Sequence, residues 1–280
     1  MRRSGEGLVP EASLGDWHDY GHGRGHRGYY TPKTLTAMAI FYRCTEVTSR
    51  TAKILGRPGY ADRYADLAGQ IKTAFNEHFF NGEEEYKNNG SCQTANGMAL
   101  AFGLALPAHR EAVVEKILDD LKQRDYQQTS GDVGFRYLLE ALAENGHSDT
   151  IARMARRKSS GSYGFIVNNG WTTMPETWDA ELSTSLNHLM LGHIQQWFWQ
   201  SLAGIRPDLE NATGFKKVII APQVEGTVKI ATGEYRSPYG LIRSGWKKTD
   251  GSIDYTIEIP VNTTAEFRLP ADNIEAVREN

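Results

Sequence analysis

"TPKTLTAMAIFYRCTEVTSRTAKILG", residues 31–56, decides the fold class. Thr31 stands where a helix N-cap belongs, Pro32 suits the first helical position, and Gly56 ends the run. The next stretch, "YADRYADLAGQIKTAFNEHFF" (60–80), puts Tyr60, Tyr64, Leu67, Ile71, Phe75 and Phe79 on one helical stripe, with Asn81-Gly82 as its stop. "QTANGMALAFGLAL" (93–106) is apolar nearly all round, as a buried inner helix is, whereas "PAHREAVVEKILDDLKQR" (107–124) has the polar face of an outer one. "DVGFRYLLEALAENG" (132–146) and "SDTIARMARRK" (148–158) repeat that pairing, and "STSLNHLMLGHIQQWFWQSLAGI" (183–205) predicts a last long helix. Seven helices follow, mostly as antiparallel hairpins. No tandem repeat of fixed period is visible, so a toroid of inner and outer helices is favoured over a solenoid.

After Arg206-Pro207 the period changes to two. "KKVIIAP" (216–222), "GTVKIATG" (226–233), "EYRSPYG" (234–240), "LIRSGWKK" (241–248), "SIDYTIEIP" (252–260) and "TAEFRLP" (264–270) predict six short strands. Ile253, Tyr255, Ile257 and Ile259 alternate with Asp254, Thr256 and Glu258, and Asp250-Gly251 marks a tight hairpin turn. The expected fold is therefore mainly α with a β-domain: helical hairpins followed by a small antiparallel β-sandwich. The expected divisions are a loop region at 1–30, helical hairpins at 31–206 and the β-domain at 207–280.

Composition narrows the function. The 280 residues carry 31 Lys plus Arg against 34 Asp plus Glu, a net charge of −3, without the basic stripe of a nucleic-acid binder. No apolar run approaches the roughly 20 residues of a membrane span. The start, "MRRSGEGLVPEASLGD", lacks the apolar core of a signal peptide, and the compartment stays open. Cys44 and Cys92 lie in helical segments outside any metal or redox motif and are expected to be reduced. Six Trp, 13 Tyr and 10 Phe supply faces for sugar rings or for ordinary cores alike.

Chemistry is expected in the polar loops. In "GDWHDYGHGRGHRGYY" (15–30), His18, His22 and His26 are spaced by four, but Gly21, Gly23, Gly25 and Gly28 oppose the helix that would align them as metal ligands. Asp16-Trp17 can bind the hydroxyls and apolar face of a sugar together, or can be a capping Asp beside a packed Trp. Gln93 and Thr94 can cap the inner helix or reach a ligand, and Asp132 is expected to be an N-cap. The segment "NNGWTTMPETWD" (168–179), continued to "ELSTSLNH" (181–188), sets Glu176 behind a proline and between Trp171 and Trp178, with His188 just beyond. A solvated hinge does not need two tryptophans, so Glu176 is a candidate catalytic carboxylate.

Taken in order, these motifs resemble the C-terminal part of the bacterial α-L-rhamnosidases, glycoside hydrolase family 78. "LGDWHDY" and the 31–56 stretch look like that family's entry into a barrel hairpin. "SCQTANGMALAFGLALP" is similar to its inner helix and "TSGDVGFRYLLEALAENGHSD" to its next hairpin. "NNGWTTMPETWD" matches its Gly-Ala-Thr-Thr-x-Trp-Glu motif, while "GFKKVIIAPQ" and "SPYGLIRSGWKK" resemble its terminal β-domain. The resemblance implies an (α/α)6 barrel, of which this chain would hold the second half, followed by the β-sandwich. It implies hydrolysis of terminal α-L-rhamnosides with inversion, with neither a catalytic metal nor a cofactor. Carried over, Glu176 is the base, Trp17 and Trp178 wall the sugar pocket, and His188 and Asp16 hydrogen-bond the sugar hydroxyls.

Two positions depart from the motif: its Ala is Trp171 and its Trp is Pro175. The family's general-acid motif lies upstream of "GDW" and has no counterpart here. The chain is therefore expected to need upstream helices or to self-associate, and to act on a rhamnose-containing glycoside rather than on nucleic acid or a membrane. Two rivals stand beside this reading: another (α/α)6 glycosidase, and a non-catalytic sugar-binding fragment. A screen of nitrophenyl glycosides separates the first, and sugar binding without turnover would mark the second.

Overall fold

A computed structural model describes residues 8, 13–21, 28–179, 185–269 and 274–278. By internal packing the chain divides into two units, Met1–Asn145 with Arg153–His193, and Gly146–Ala152 with Ile194–Asn280.

The first unit begins with α1 (Lys33–Ile54) and α2 (Pro58–Phe79), an antiparallel hairpin. Gly56, at φ +64°, turns the chain, and Pro58 occupies the first turn of α2. At the start of α1 the expected cap is displaced by one residue. Pro32 is the N-cap, its carbonyl accepting from the amides of Leu35 and Thr36, while the buried Thr31 hydroxyl has no partner. On α2 the buried stripe is Ala61, Ala68, Ile71, Phe75 and Phe79. Tyr60, predicted to be on that stripe, is 58% exposed. The small Ala61 takes the inward position beside α1, where its carbonyl accepts from the Ser49 hydroxyl.

α3 (Gln93–Ala101) is buried along residues 93–100, as its composition predicts, and packs against α5 (Gly134–Glu144). A Cβ at Gly97 would lie 3.1 Å from the Leu138 Cα, so this glycine permits the close approach of the two inner helices. α4 (Arg110–Gln123), entered through a 3-10 turn at Pro107–His109, is amphipathic. α6 spans Ser148–Arg156. The short α7 (Tyr163–Asn168) is capped by the Ser162 hydroxyl, which accepts from the Phe165 amide at 3.3 Å. No described helix is long and apolar enough to cross a membrane.

The predicted long last helix is instead a broken run. A 3-10 turn at Met190–His193 leads into α8 (Ile194–Trp197) and a π-helical stretch at Phe198–Leu202. Gly192 weakens its start, and upstream of it the His188 amide is drawn to the Met174 carbonyl rather than into a helix.

The second unit contains two three-stranded sheets. β1 (Ile205–Pro207) pairs antiparallel with β2 (Lys217–Ile220), which pairs parallel with β6 (Thr264–Phe267). β3 (Ile230–Ser237), β4 (Gly240–Thr249) and β5 (Ser252–Glu258) form an antiparallel meander. Asp250-Gly251 is the two-residue turn between Thr249 and Ser252. β3 runs straight through Gly233, where two strands were expected. A side chain there would meet the Ala203 Cβ at 2.7 Å, so the glycine admits a neighbour rather than ending the strand. Ala203, Ile205, Val218, Ile220 and Ile242 form the core, with Trp199 and Phe215 packed on it.

Candidate active site

The site is assembled by hydrogen bonds between distant segments of the first unit. Asp16 is fully buried. Its carboxylate accepts from the Thr94 hydroxyl at 2.6 Å and from the amides of Gly131 at 2.9 Å, Val133 at 3.1 Å and Gly134 at 2.7 Å. The last two amides are those of the N-cap and first residue of α5, so Asp16 caps that helix from 118 residues away. Burial outweighs these bonds and raises its pKa above the ordinary carboxylate range. Two glycines are required for this approach. A Cβ at Gly131 would lie 2.0 Å from the Trp17 carbonyl oxygen, and one at Gly134 would lie 2.2 Å from the Thr94 hydroxyl. Of the two roles open to Asp16, sugar contact and capping, the hydrogen bonds show capping.

Thr94 and Gln93 neither cap α3 nor stand open to a ligand. Gln93 donates to the Asp120 carboxylate at 2.7 Å and the Gln127 carbonyl at 3.1 Å, and accepts from the Thr129 amide at 2.8 Å. The loop before α5 is thus fastened to α3 and α4. It is fastened also to the segment around Asp16, since Tyr20 N donates to Thr129 O at 2.9 Å and Asp132 N to Trp17 O at 2.7 Å.

Because Asp16 occupies the cap, the side chain of Asp132 does not. It is buried, and its Oδ1 has no hydrogen-bond partner. Burial first, then the charges of Asp16 and Glu176, push its pKa up to about 7. The N-cap expectation is thereby corrected. Asp132 is a buried carboxyl within the electrostatic reach of Glu176, and its Gly-Asp context before a helix conceals this.

Glu176 sits on a loop whose two limbs are laced together. Its amide donates to Ser185 O at 2.9 Å, His188 N donates to Met174 O at 2.8 Å, and the Thr173 hydroxyl donates to Leu186 O. The Glu176 Oε1 lies 3.7 Å from the His18 Nε2, and the glutamate side chain keeps 26% of its surface exposed. His18 adopts φ +58°, a conformation that histidine tolerates better than most residues, and its ring stands edge-on to Trp17 at 5.8 Å. His22 and His26, the other members of the spaced triplet, lie outside the described residues.

Trp17 is half-buried, and His188 is half-buried with a buried Nδ1 that has no partner. Trp178, expected as a pocket wall, is 2% exposed and stands edge-on to Phe135 at 5.0 Å and Tyr163 at 5.3 Å. Packed between these rings, it anchors the far end of the Glu176 loop. The site thus combines a solvent-reachable carboxylate, an imidazole, a buried carboxyl and a half-buried indole. Such a set can bind a hydroxylated ring and activate a water molecule.

The sequence and fold of the chain are similar to those of known proteins. Residues 2–202 match the model of the bacterial alpha-L-rhamnosidase 6 hairpin glycosidase domain, and residues 204–280 that of the bacterial alpha-L-rhamnosidase C-terminal domain. The chain is 29% identical to an α-L-rhamnosidase of Streptomyces avermitilis, over 99% of this chain and 27% of that protein. It is 30% identical to one of Alteromonas sp. (strain LOR), over 92% and 29% respectively. The crystal structure of the Streptomyces avermitilis α-L-rhamnosidase complexed with L-rhamnose superposes with a TM-score of 0.84, covering 95% of this chain and 25% of that one. The Dictyoglumus thermophilum α-L-rhamnosidase gives 0.83 at 28% identity, covering 94% and 29%. The chain therefore spans between a quarter and a third of the length of these relatives.

Proposed function

The chain belongs to the bacterial α-L-rhamnosidase family of six-hairpin glycosidases, and from that premise we propose that it carries the water-activating half of an inverting α-L-rhamnosidase site. Residues 1–30 would bring the Gly15-Asp16-Trp17 motif, 31–206 the second half of the (α/α)6 barrel, and 207–280 the terminal β-domain. The substrate is a rhamnose-containing glycoside.

Inversion needs two carboxyl groups about 6.5–9.5 Å apart, one protonating the leaving oxygen and the other taking a proton from water on the opposite face of the ring. Glu176 is the base. The water oxygen bonds to the anomeric carbon as its proton passes to Glu176 Oε, and the bond to the aglycone oxygen breaks with its electron pair leaving on that oxygen. The proton for that oxygen comes from an acid outside this chain, which spans between a quarter and a third of its relatives' length. Trp17 stacks on the apolar face of the ring, and the unpartnered Nδ1 of His188 meets a hydroxyl. Asp16 and Trp178 act behind the site. Asp16 fixes the segment carrying Trp17 and His18, while Trp178 fixes the loop carrying Glu176.

The observation that carries this reading is the Glu176 loop itself. A carboxylate on a cross-laced backbone, a quarter exposed and 3.7 Å from an imidazole, is immobilised yet reachable by water. The test is NMR of the first product released from an aryl α-L-rhamnoside. Appearance of β-L-rhamnose before mutarotation supports inversion, and initial α-L-rhamnose contradicts it.

A further inference from the structure

His18 stands where the backbone suits a residue without a side chain. It lies at φ +58°, a left-handed conformation that glycine enters freely and that few other residues visit. Its neighbours impose that turn from both sides. Before it, the Asp16 carboxylate caps α5, and the Trp17 carbonyl accepts from the Asp132 amide at 2.7 Å. After it, the Asp19 carboxylate accepts from the Tyr30 amide at 2.6 Å, and the Tyr20 amide donates to Thr129 O at 2.9 Å. A glycine would make this turn with less strain. The sequence instead supplies an imidazole, and the turn brings its Nε2 to 3.7 Å from the Glu176 Oε1. Sparsely populated backbone conformations of this kind cluster at functional sites, where the side chain so aimed has a use.

The two side chains keep only 16% and 26% of their surfaces exposed, so the attraction between them is screened less than that of a fully exposed pair. Other titratable groups lie on the segments packed around them. Asp16 and Asp19 flank His18, Asp132 stands on the run before α5, and His188 is on the returning limb of the Glu176 loop. Three of these four are carboxyls, and Asp132 is coupled to the Glu176 charge directly. Negative neighbours favour the protonated form of a carboxyl, which cannot act as a base. A cation beside Oε1 opposes them.

We propose that His18 is the positioning residue of Glu176, its imidazolium orienting the carboxylate and keeping it ionised as the pH falls. This rests on the assignment of Glu176 as the base and adds the group that sets the pH range in which that base works. An imidazole ordinarily carries its proton below about pH 6.5, so His18 is charged where a carboxyl titrates. The effect has a definite sign. The acid limb of turnover lies lower with the imidazolium present and rises when it is removed. An opposite charge within about 4–6 Å moves a carboxyl by about 1–3 pH units, and since water reaches both groups here the low end applies.

The test is the pH dependence of kcat for an aryl α-L-rhamnoside, from about pH 4 to 8, measured on this chain carried within a protein of its relatives' full length. His18→Asn, His18→Gly and Glu176→Gln are compared with the wild type. Asn and Gly both accept the left-handed backbone, so each removes the imidazole while leaving the turn intact. In both, the acid limb should move up by about 1 pH unit, so that kcat below the limb falls by up to about 10-fold relative to its plateau. A residue that only shaped the turn would leave the limb in place, so an unmoved limb in both variants overturns the proposal. Glu176→Gln is judged on plateau turnover. Its loss together with an unmoved limb keeps the base and removes the role of His18, whereas its retention removes the base itself and the role of His18 with it.

Discussion

Replacing Asp132 with Asn removes a charge that the folded protein resists. In the unfolded chain this carboxyl loses its proton near the ordinary 3.8, whereas in the folded protein it keeps the proton up to about 7. Between those values the folded state binds more protons than the unfolded one, so stability falls as pH rises through this window and stays reduced above it. At about 1.4 kcal/mol per pH unit, the rise corresponds to about 4 kcal/mol as an upper bound. Relaxation and water entry around a site open at Glu176 reduce this to about 2 kcal/mol. Asn has nearly the same shape and no charge, so Asp132→Asn should match the wild type at pH 4 and exceed it by about 2 kcal/mol at pH 8. With a urea dependence of about 2 kcal/mol/M, the midpoint at pH 8 should rise by about 1 M. Urea titrations of both proteins at the two pH values measure it. Equal midpoints at pH 8, or a gain of the same size at pH 4, would refute the claim that a buried charge beside Asp16 and Glu176 causes the effect.

Asp16→Ala leaves the Thr94 hydroxyl and three buried amides without their acceptor, and should cost about 3–5 kcal/mol, read as a fall in the urea midpoint. His193 works in the opposite pH direction to Asp132. Burial holds its pKa down at about 4 against an ordinary 6.5, so the unfolded state takes up the proton first and stability falls as pH drops from about 6.5 to 4. His193→Gln should flatten that acid limb in melting temperatures recorded from pH 4 to 7, and an unchanged limb would exclude His193 as its source.

Local pattern made much of the fold legible. The Ile71, Phe75 and Phe79 stripe, the all-round apolar α3 and the Asp250-Gly251 turn each follow from a few adjacent residues, and the structure has them as the sequence predicts. The sequence pattern does not reveal α7, because Gly164 interrupts its short helical stretch. A side chain there would lie 2.2 Å from the Arg157 carbonyl oxygen, a requirement imposed by packing rather than by local propensity. The site follows the same division. Glu176 is visible as a candidate from its motif and its flanking tryptophans. The roles of Asp16 and Asp132 were not, because they are set by one bond pattern joining residues more than 110 positions apart. A capping Asp is expected next to its helix, and here the distant Asp16 takes the cap and leaves the adjacent Asp132 to the site. Likewise Trp178 is distinguished from Trp17 only by the rings of Phe135 and Tyr163, brought to it from two helices.

The central claim is that Glu176 activates water. It is tested most directly by the turnover of an aryl α-L-rhamnoside by Glu176→Gln, measured on this chain carried within a protein of its relatives' full length. Glutamine keeps the size and the laced loop but cannot take the proton, so kcat should fall by about 10²–10⁴-fold, the usual worth of a positioned base, with the fold unchanged by circular dichroism. Turnover within a few-fold of the wild type would contradict the account.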